Sequence, residues 1–388
     1  MSKKLLIIIG CAVILLITGV YVYFAYFRGK DTGKTPQFPI REFPKQSDLT
    51  GQESPEQKEP PTTRSEKGIL RVLVEEPMIG GTLSREGNAI LYITRENGNI
   101  YRINFNGDDR ARISNQTIIG LYQAHWSPDK TKVFLAYERG DEIKKLISDL
   151  AGESPTNSIV PSSIRSATWS SDGKTFYSLE ELADGVRLVS ADANNKNGKE
   201  RLKVPLGDLN ILPYPNLSLF FTEAPSGIVK GPLFEFNTKN GAFQELSNGF
   251  GTIVVPSPKN TKLLISQTTS SGALQEIRIM NIKDGEITPV PVITLADKCA
   301  WTNEDVFFCG VPKENPSNTI LPDEYYKGLL ETNDRLVRVD INGSGITEYS
   351  AEGFDRGIDF QDVFTDKEGL NVFFRDQKTN FLYRFELP

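Results

Sequence analysis

The chain has 388 residues, a formal net charge of -6 and a single histidine. An acidic balance without a basic stripe argues against a nucleic-acid surface. One histidine excludes zinc sites built on two or three, HExxH sites among them.

From the amino terminus, residues 1–4 form a short tail, and Leu5 to Phe27 is an apolar segment without a charge. At about 1.5 Å per residue it is long enough to cross a bilayer as a transmembrane helix. Aromatic residues crowd between Tyr21 and Phe27, as at a membrane interface. The stretch is too long for a cleaved signal peptide and no small-x-small motif follows, so it reads as an uncleaved signal anchor. Lys3 and Lys4 before it and Arg28, Lys30 and Lys34 after it leave the charge rule undecided. A short tail ahead of a large domain predicts that the domain stands on the extracytoplasmic side of the cell membrane. Residues 28–67 carry Pro36, Pro39, Pro44, Pro55, Pro60 and Pro61 with many charges and few aliphatics. They read as a disordered tether whose ends lie about 35 Å apart as a coil.

Residues 68–388 repeat. Segments align on Leu83, Trp126, Trp169, Leu212, Pro256, Trp301 and Phe364, with steps of 43, 43, 43, 44, 45 and 63 residues. A period in the low forties predicts an all-β fold, a seven-bladed β-propeller of four-stranded units that bury their faces only by stacking. After each anchor comes a short polar turn and an apolar strand, such as Ile90–Ile93, Val133–Ala136, Phe176–Leu179 and Val372–Phe374. Asn106-Gly107, Asn197-Gly198, Asn240-Gly241, Asp284-Gly285 and Asn342-Gly343 mark later turns, predicted as two-residue hairpins. Ile69–Val74 precedes the first anchor and has no unit of its own. It is expected to close the ring as the outermost strand of the last blade, which is otherwise one strand short.

The long sixth step contains an insertion, residues 311–335, between the second and third strands of blade six. It should project from one rim, with a short helix over 321–330. Tyr325, Tyr326, Leu329 and Leu330 are its candidate partner-binding residues, the alternative being that they fold back and cover the disc. Cys299 and Cys309 flank the turn 302–305, so they face each other on one hairpin if the register allows. They are then a disulfide in an oxidising compartment, or otherwise two small buried thiols.

His125 stands beside a blade tryptophan on an innermost strand and reads as structural, since no G-x-S-x-G nucleophile motif accompanies it. Asp129 and Asp172 read as turn caps. Gly33-Lys34-Thr35 and Gly173-Lys174-Thr175 lack the upstream glycine of a phosphate loop. No motif calls for a cofactor or a metal.

The segments His125-Trp126-Ser127-Pro128-Asp129-Lys130 and Trp169-Ser170-Ser171-Asp172-Gly173-Lys174 resemble the W-S-P-D-G-K repeat of TolB-type propellers, the WD40-like PD40 family. The resemblance spans about residues 69–388, and only two of the seven units carry it well. The family includes periplasmic envelope proteins and the propeller domains of oligopeptidases. No hydrolase domain follows the last unit here and no TolB-like α/β domain precedes the first. The expected role is therefore a non-catalytic interaction or scaffold module, tethered to the membrane, with another envelope protein as partner. The alternative is a receptor for a small ligand or glycan in the central channel, for which His125, Asp297 and Asp359 are the polar candidates. A propeller-type hydrolase or lyase is the third reading.

Overall fold

The computed structural model describes residues 62–388 apart from 153, 214–216, 344 and 352–356. The expected membrane segment 5–27 and most of the tether lie outside the described residues. Among the described residues no helix is long and apolar enough to cross a membrane.

The fold is all-β and propeller-like, built of sheets in chain order whose strands pair antiparallel except at the closing strand. The first sheet comprises Met78–Leu83, Ala89–Thr94, Ile100–Asn104 and Ala111–Arg112. Two further four-stranded sheets follow, starting at Leu121–Trp126 and at Ile164–Trp169. In the next sheet one long strand, Phe243–Pro256, joins two such units by ending one and beginning the other. The second strand of the first unit lies between neighbours on both sides and every residue of Ala89–Thr94 is buried, whereas its counterpart in the third unit, Thr175–Leu182, alternates over its first half.

Apolar clusters sit between consecutive sheets. Phe134, Trp169 and Phe176 join the second unit to the third, and Phe373 and Leu382 at the chain's end pack with Ile90 and Tyr92 of the first. That last contact closes the array on itself. Trp126 lends its ring to the same task, its Nε1 donating to Gly80 O of the preceding sheet at 2.6 Å. Trp301 likewise reaches back to Val255 O at 3.2 Å. Trp169 instead donates to Ala193 O of its own unit at 3.0 Å. Leu83, Leu212, Pro256 and Phe364 occupy the corresponding positions half-buried.

The closing strand is longer than the apolar run suggests. It covers Thr62–Val74, so it begins inside the stretch read as tether. Ile69 to Val74 pairs antiparallel with Leu382–Glu386, making the outer strand of the last unit. Thr62 to Gly68 pairs in parallel with Gly345–Ala351 of the preceding unit. Gly68 is the pivot, and a Cβ there would lie 2.1 Å from the Phe385 ring.

Two local devices repeat. Where a first strand turns into a second, Ser127 Oγ donates to Asp129 Oδ1 at 2.6 Å, and Ser170 Oγ to Asp172 Oδ1 at 2.6 Å, so both aspartates cap turns. The later hairpins are longer than the two-residue turns expected. Each starts with an Asn or Asp whose side chain accepts the backbone N–H two residues on: Asn104, Asp192, Asn237, Asn281 and Asp340. These Asx turns shape the loop before the glycine is reached.

Candidate functional site

The first strands of different units face one another around a cavity of about 850 Å³. Its walls come from Met78–Leu83 and Leu121–Trp126 on one side and Phe360–Thr365 on the other, with Tyr326, Lys327 and Gly328 of the insertion at its edge.

The insertion does not project. Residues 313–333 fold across the face of the disc, with one short helix, Asp323–Tyr326. Asp323 accepts from Ser226 Oγ at 3.0 Å and Gly227 N at 2.7 Å, and Leu321 N donates to Gly272 O at 3.0 Å. Gly227 and Gly272 make room, since a Cβ would meet Leu321 O at 2.2 Å and Ile320 Cα at 2.7 Å respectively. Leu321 and Tyr325 then bury against Ile253, Leu295 and Ala296. Tyr325, a candidate for partner binding, is 1% exposed. That expectation is corrected: the ring fills an apolar site and its hydroxyl has an internal acceptor. Leu330 is half-buried on the same cluster. Tyr326 and Leu329 remain exposed, Leu329 at 73%.

A buried ionic network lies under this cap. Lys298 is 2% exposed. Its Nζ donates to Thr332 Oγ1 at 2.6 Å, Asp334 Oδ2 at 2.7 Å and Asp359 Oδ1 at 2.8 Å, and it lies 4.7 Å from the Tyr325 ring centroid. Asp359 also accepts from Tyr325 Oη at 2.7 Å and Thr332 N at 2.8 Å. Burial pushes the Asp334 carboxyl up despite Lys298. Burial, and then the Asp359 charge, raises the Tyr325 hydroxyl, which stays a donor. Beside it, Tyr326 Oη donates to Asp297 Oδ2 at 2.5 Å, and burial raises Asp297 as well. Asp359 is thus spent on holding the cap, and Asp297 gives it one oxygen, Oδ2, while its buried Oδ1 accepts no hydrogen bond.

On the far wall Arg375 Nε donates to Asp362 Oδ2 at 2.6 Å and Nη1 to Asn380 Oδ1 at 2.5 Å, while Nη2 donates to Gln361 Oε1. Arg95 Nη1 reaches the same Asn380 oxygen at 3.3 Å. Asp362 has φ 49° and Asn380 φ 58°, the left-handed region that costs a non-glycine residue about 1 kcal/mol or more. The position of Asp362 is a bulge shared by other first strands. Glycine fills it elsewhere, as Gly80 with φ 63° and Gly251 with φ 57°. An aspartate at this glycine position holds the Arg375 guanidinium against the cavity.

His125 lines the opposite wall. Its Nε2 lies 3.2 Å from Thr168 Oγ1, and its ring stacks near Trp169 at 6.1 Å between centroids. Burial, followed by the Lys130 charge, pushes it down to about 4, so it is neutral at pH 7. Burial also lowers Lys130, to about 8. Cys299 and Cys309 stand opposite each other in the register and are joined by a disulfide. Among the described residues no three His, Cys, Asp or Glu side chains gather as a metal-binding group.

No family model matches the chain. Among curated proteins none is similar in sequence. Solved structures share the fold. An oligogalacturonate lyase from Vibrio parahaemolyticus superimposes with a TM-score of 0.57 at 11% identity, covering 82% of this chain and 93% of the lyase. A prolyl endopeptidase gives 0.54 at 9% identity over 82% of this chain and 51% of its own. TolB from Acinetobacter baumannii gives 0.44 at 11% identity, covering 80% of this chain and 63% of TolB. Likeness at such identity concerns the fold alone. It nonetheless overturns the expectation that the chain is no enzyme: the fold is shared with a lyase and with half the length of a peptidase, so architecture gives no ground for setting catalysis aside.

Proposed function

We propose that this chain is a seven-bladed β-propeller, held outside the cytoplasm by segment 5–27, that takes a small polar ligand or glycan into its central cavity. The observation that carries the reading is the cavity itself. Its volume of about 850 Å³ suits a ligand of small-molecule or short-oligosaccharide size. Polar side chains converge on it from first strands far apart in the sequence, and the insertion closes one edge. The blade count rests on the repeat together with the sheets: the seven-stranded sheet divides at Phe243–Pro256, and the eight-stranded one at the closing strand. The Cys299–Cys309 disulfide suits an oxidising compartment, in keeping with an extracytoplasmic domain.

A second reading, docking of another envelope protein on the capped face, has its own support. Ile228, Val229, Ile320 and Leu329 are exposed there, and Ile320 packs close to Gly227. Calorimetric titration of the full chain with neutral and acidic saccharides separates the two. Gln123→Trp, at an exposed position on the cavity wall, should abolish saturable binding while leaving the melting temperature unchanged. Binding that survives this substitution and is lost with Leu329→Asp would favour the docking surface.

A further inference from the structure

We infer that the ligand of this cavity is an anion, gripped through a carboxylate or phosphate group between Arg95 and Arg375. The inference rests on the cavity reading above and adds the chemical class. Two guanidinium groups meet at one neutral acceptor, Asn380 Oδ1, 2.5 Å from Arg375 Nη1 and 3.3 Å from Arg95 Nη1. Like charges so close repel unless an anion lies near, and an amide oxygen supplies no charge. Asp362 balances one of the two arginines. Of the side chains lining the cavity, Arg95, Arg375 and Lys327 are cationic and Asp362 alone is anionic. The wall is therefore positive on a chain whose net charge is -6.

Donor geometry agrees. Of a guanidinium's five N–H groups, the hydrogen bonds of Arg375 use one on each nitrogen, to Asp362, Asn380 and Gln361. One N–H on each Nη is left over, a spacing that matches the two oxygens of a carboxylate or phosphate. The three contacts fix the fork before any ligand arrives; two of the partners stand where the fold itself bends the chain, Asp362 in a bulge and Asn380 in a hairpin turn. Arg95 is exposed by comparison, and meets the anion from the other side. The remaining carboxylates nearby do not compete. Asp297 is bonded to Tyr326, with burial favouring its uncharged form, and Asp359 is tied to Lys298.

The test is titration of the full chain with a glucuronic-acid disaccharide, its neutral glucose counterpart and a sugar phosphate, at low and high salt. The acidic probes should bind at least about tenfold more tightly than the neutral one, a difference of about 1.4 kcal/mol, and added salt should erase that margin. Arg95→Gln changes an exposed side chain and leaves folding intact; it should weaken the acidic probes about tenfold and the neutral probe little. Arg375→Lys keeps the charge and loses the fork, so it should weaken the carboxylate probe more than the sugar phosphate, which a point charge serves well. The carboxylate and phosphate arms identify which group is preferred. Equal binding of acidic and neutral probes, blocked by Gln123→Trp, would overturn the anion assignment and leave the cavity reading standing. Absence of saturable binding by both acidic probes would overturn the assignment outright.

Discussion

The Tyr325 hydroxyl donates a 2.7 Å hydrogen bond to Asp359 Oδ1, tying the insertion of one unit to the residue that leads into the first strand of the next. The same carboxylate receives Lys298, so a single side chain joins the cap, the ionic network and the last sheet. Tyr325→Phe keeps the ring and removes one of the three donors to this carboxylate, which still receives Lys298 and Thr332 N; losing a hydrogen bond to a charged group should cost about 1.5–3 kcal/mol in denaturant unfolding. Lys298→Met leaves Asp334 and Asp359 buried without their cation and should cost more, about 3–5 kcal/mol. Unchanged midpoints for both variants would mean that the cap contributes nothing to stability.

His125 gives a clean pH prediction, because it is the chain's one histidine. Unfolded it titrates near 6.5, and folded near 4. Between those values the unfolded chain takes up a proton that the folded chain refuses. The His125 contribution to stability is therefore flat above about pH 6.5 and declines as the pH falls toward 4, by at most about 3 kcal/mol. His125→Gln should remove that component. Comparing urea unfolding at pH 7 and at about pH 5, the parent chain should lose about 2 kcal/mol more than the variant.

The disulfide closes a short loop, Cys299 and Cys309 being 10 residues apart. Loop-closure entropy then gives a stabilisation of about 2–3 kcal/mol. Reduction, or the double substitution Cys299→Ala and Cys309→Ala, should lower the thermal midpoint accordingly. Coincident melting of the oxidised and reduced chains would contradict this.

Gly68 divides the closing strand between its two partners. Gly68→Val drives a side chain into Phe385 and the Glu386 carbonyl, which a Cβ would approach to 2.1 Å and 2.7 Å. The expected loss is about 1–3 kcal/mol from overpacking. Gly345→Ala, where nothing lies within 4 Å of the added carbon, is the matched control and should unfold like the parent chain.

What the sequence reveals here is what repeats. Trp126, Trp169 and Trp301 recur because each unit needs the same plug between sheets, and the role of Ile69–Val74 follows from a last unit lacking a strand. The sequence allows two placements of the cap because its position depends on distant partners. Tyr325 is buried only because Ile253, Leu295 and Asp359 are brought beneath it, and nothing local to residues 321–330 records that. The two arginines are harder still, lying 280 residues apart and in unrelated contexts. The one available signal is positional: Asp362 stands where Gly80 and Gly251 stand in their own bulges, and only the strand register exposes that equivalence. The later hairpins were located by their Asn-Gly and Asp-Gly pairs, yet their shape belongs to Asx residues such as Asn104 and Asn281 just upstream.

The closing strand also sets an order of events during synthesis. Thr62–Val74 leaves the ribosome ahead of every other strand described, while Leu382–Glu386, its antiparallel partner, is the last of those strands to be made. Until that partner emerges, six residues from Ile69 to Val74 expose an unmatched edge, and the units between them have no ring to complete. Pairing across some three hundred residues carries a high loop-closure cost and is slow to form. While the strands between them are being made, that edge stays open to pairing with neighbouring chains, and ring closure comes as one late step.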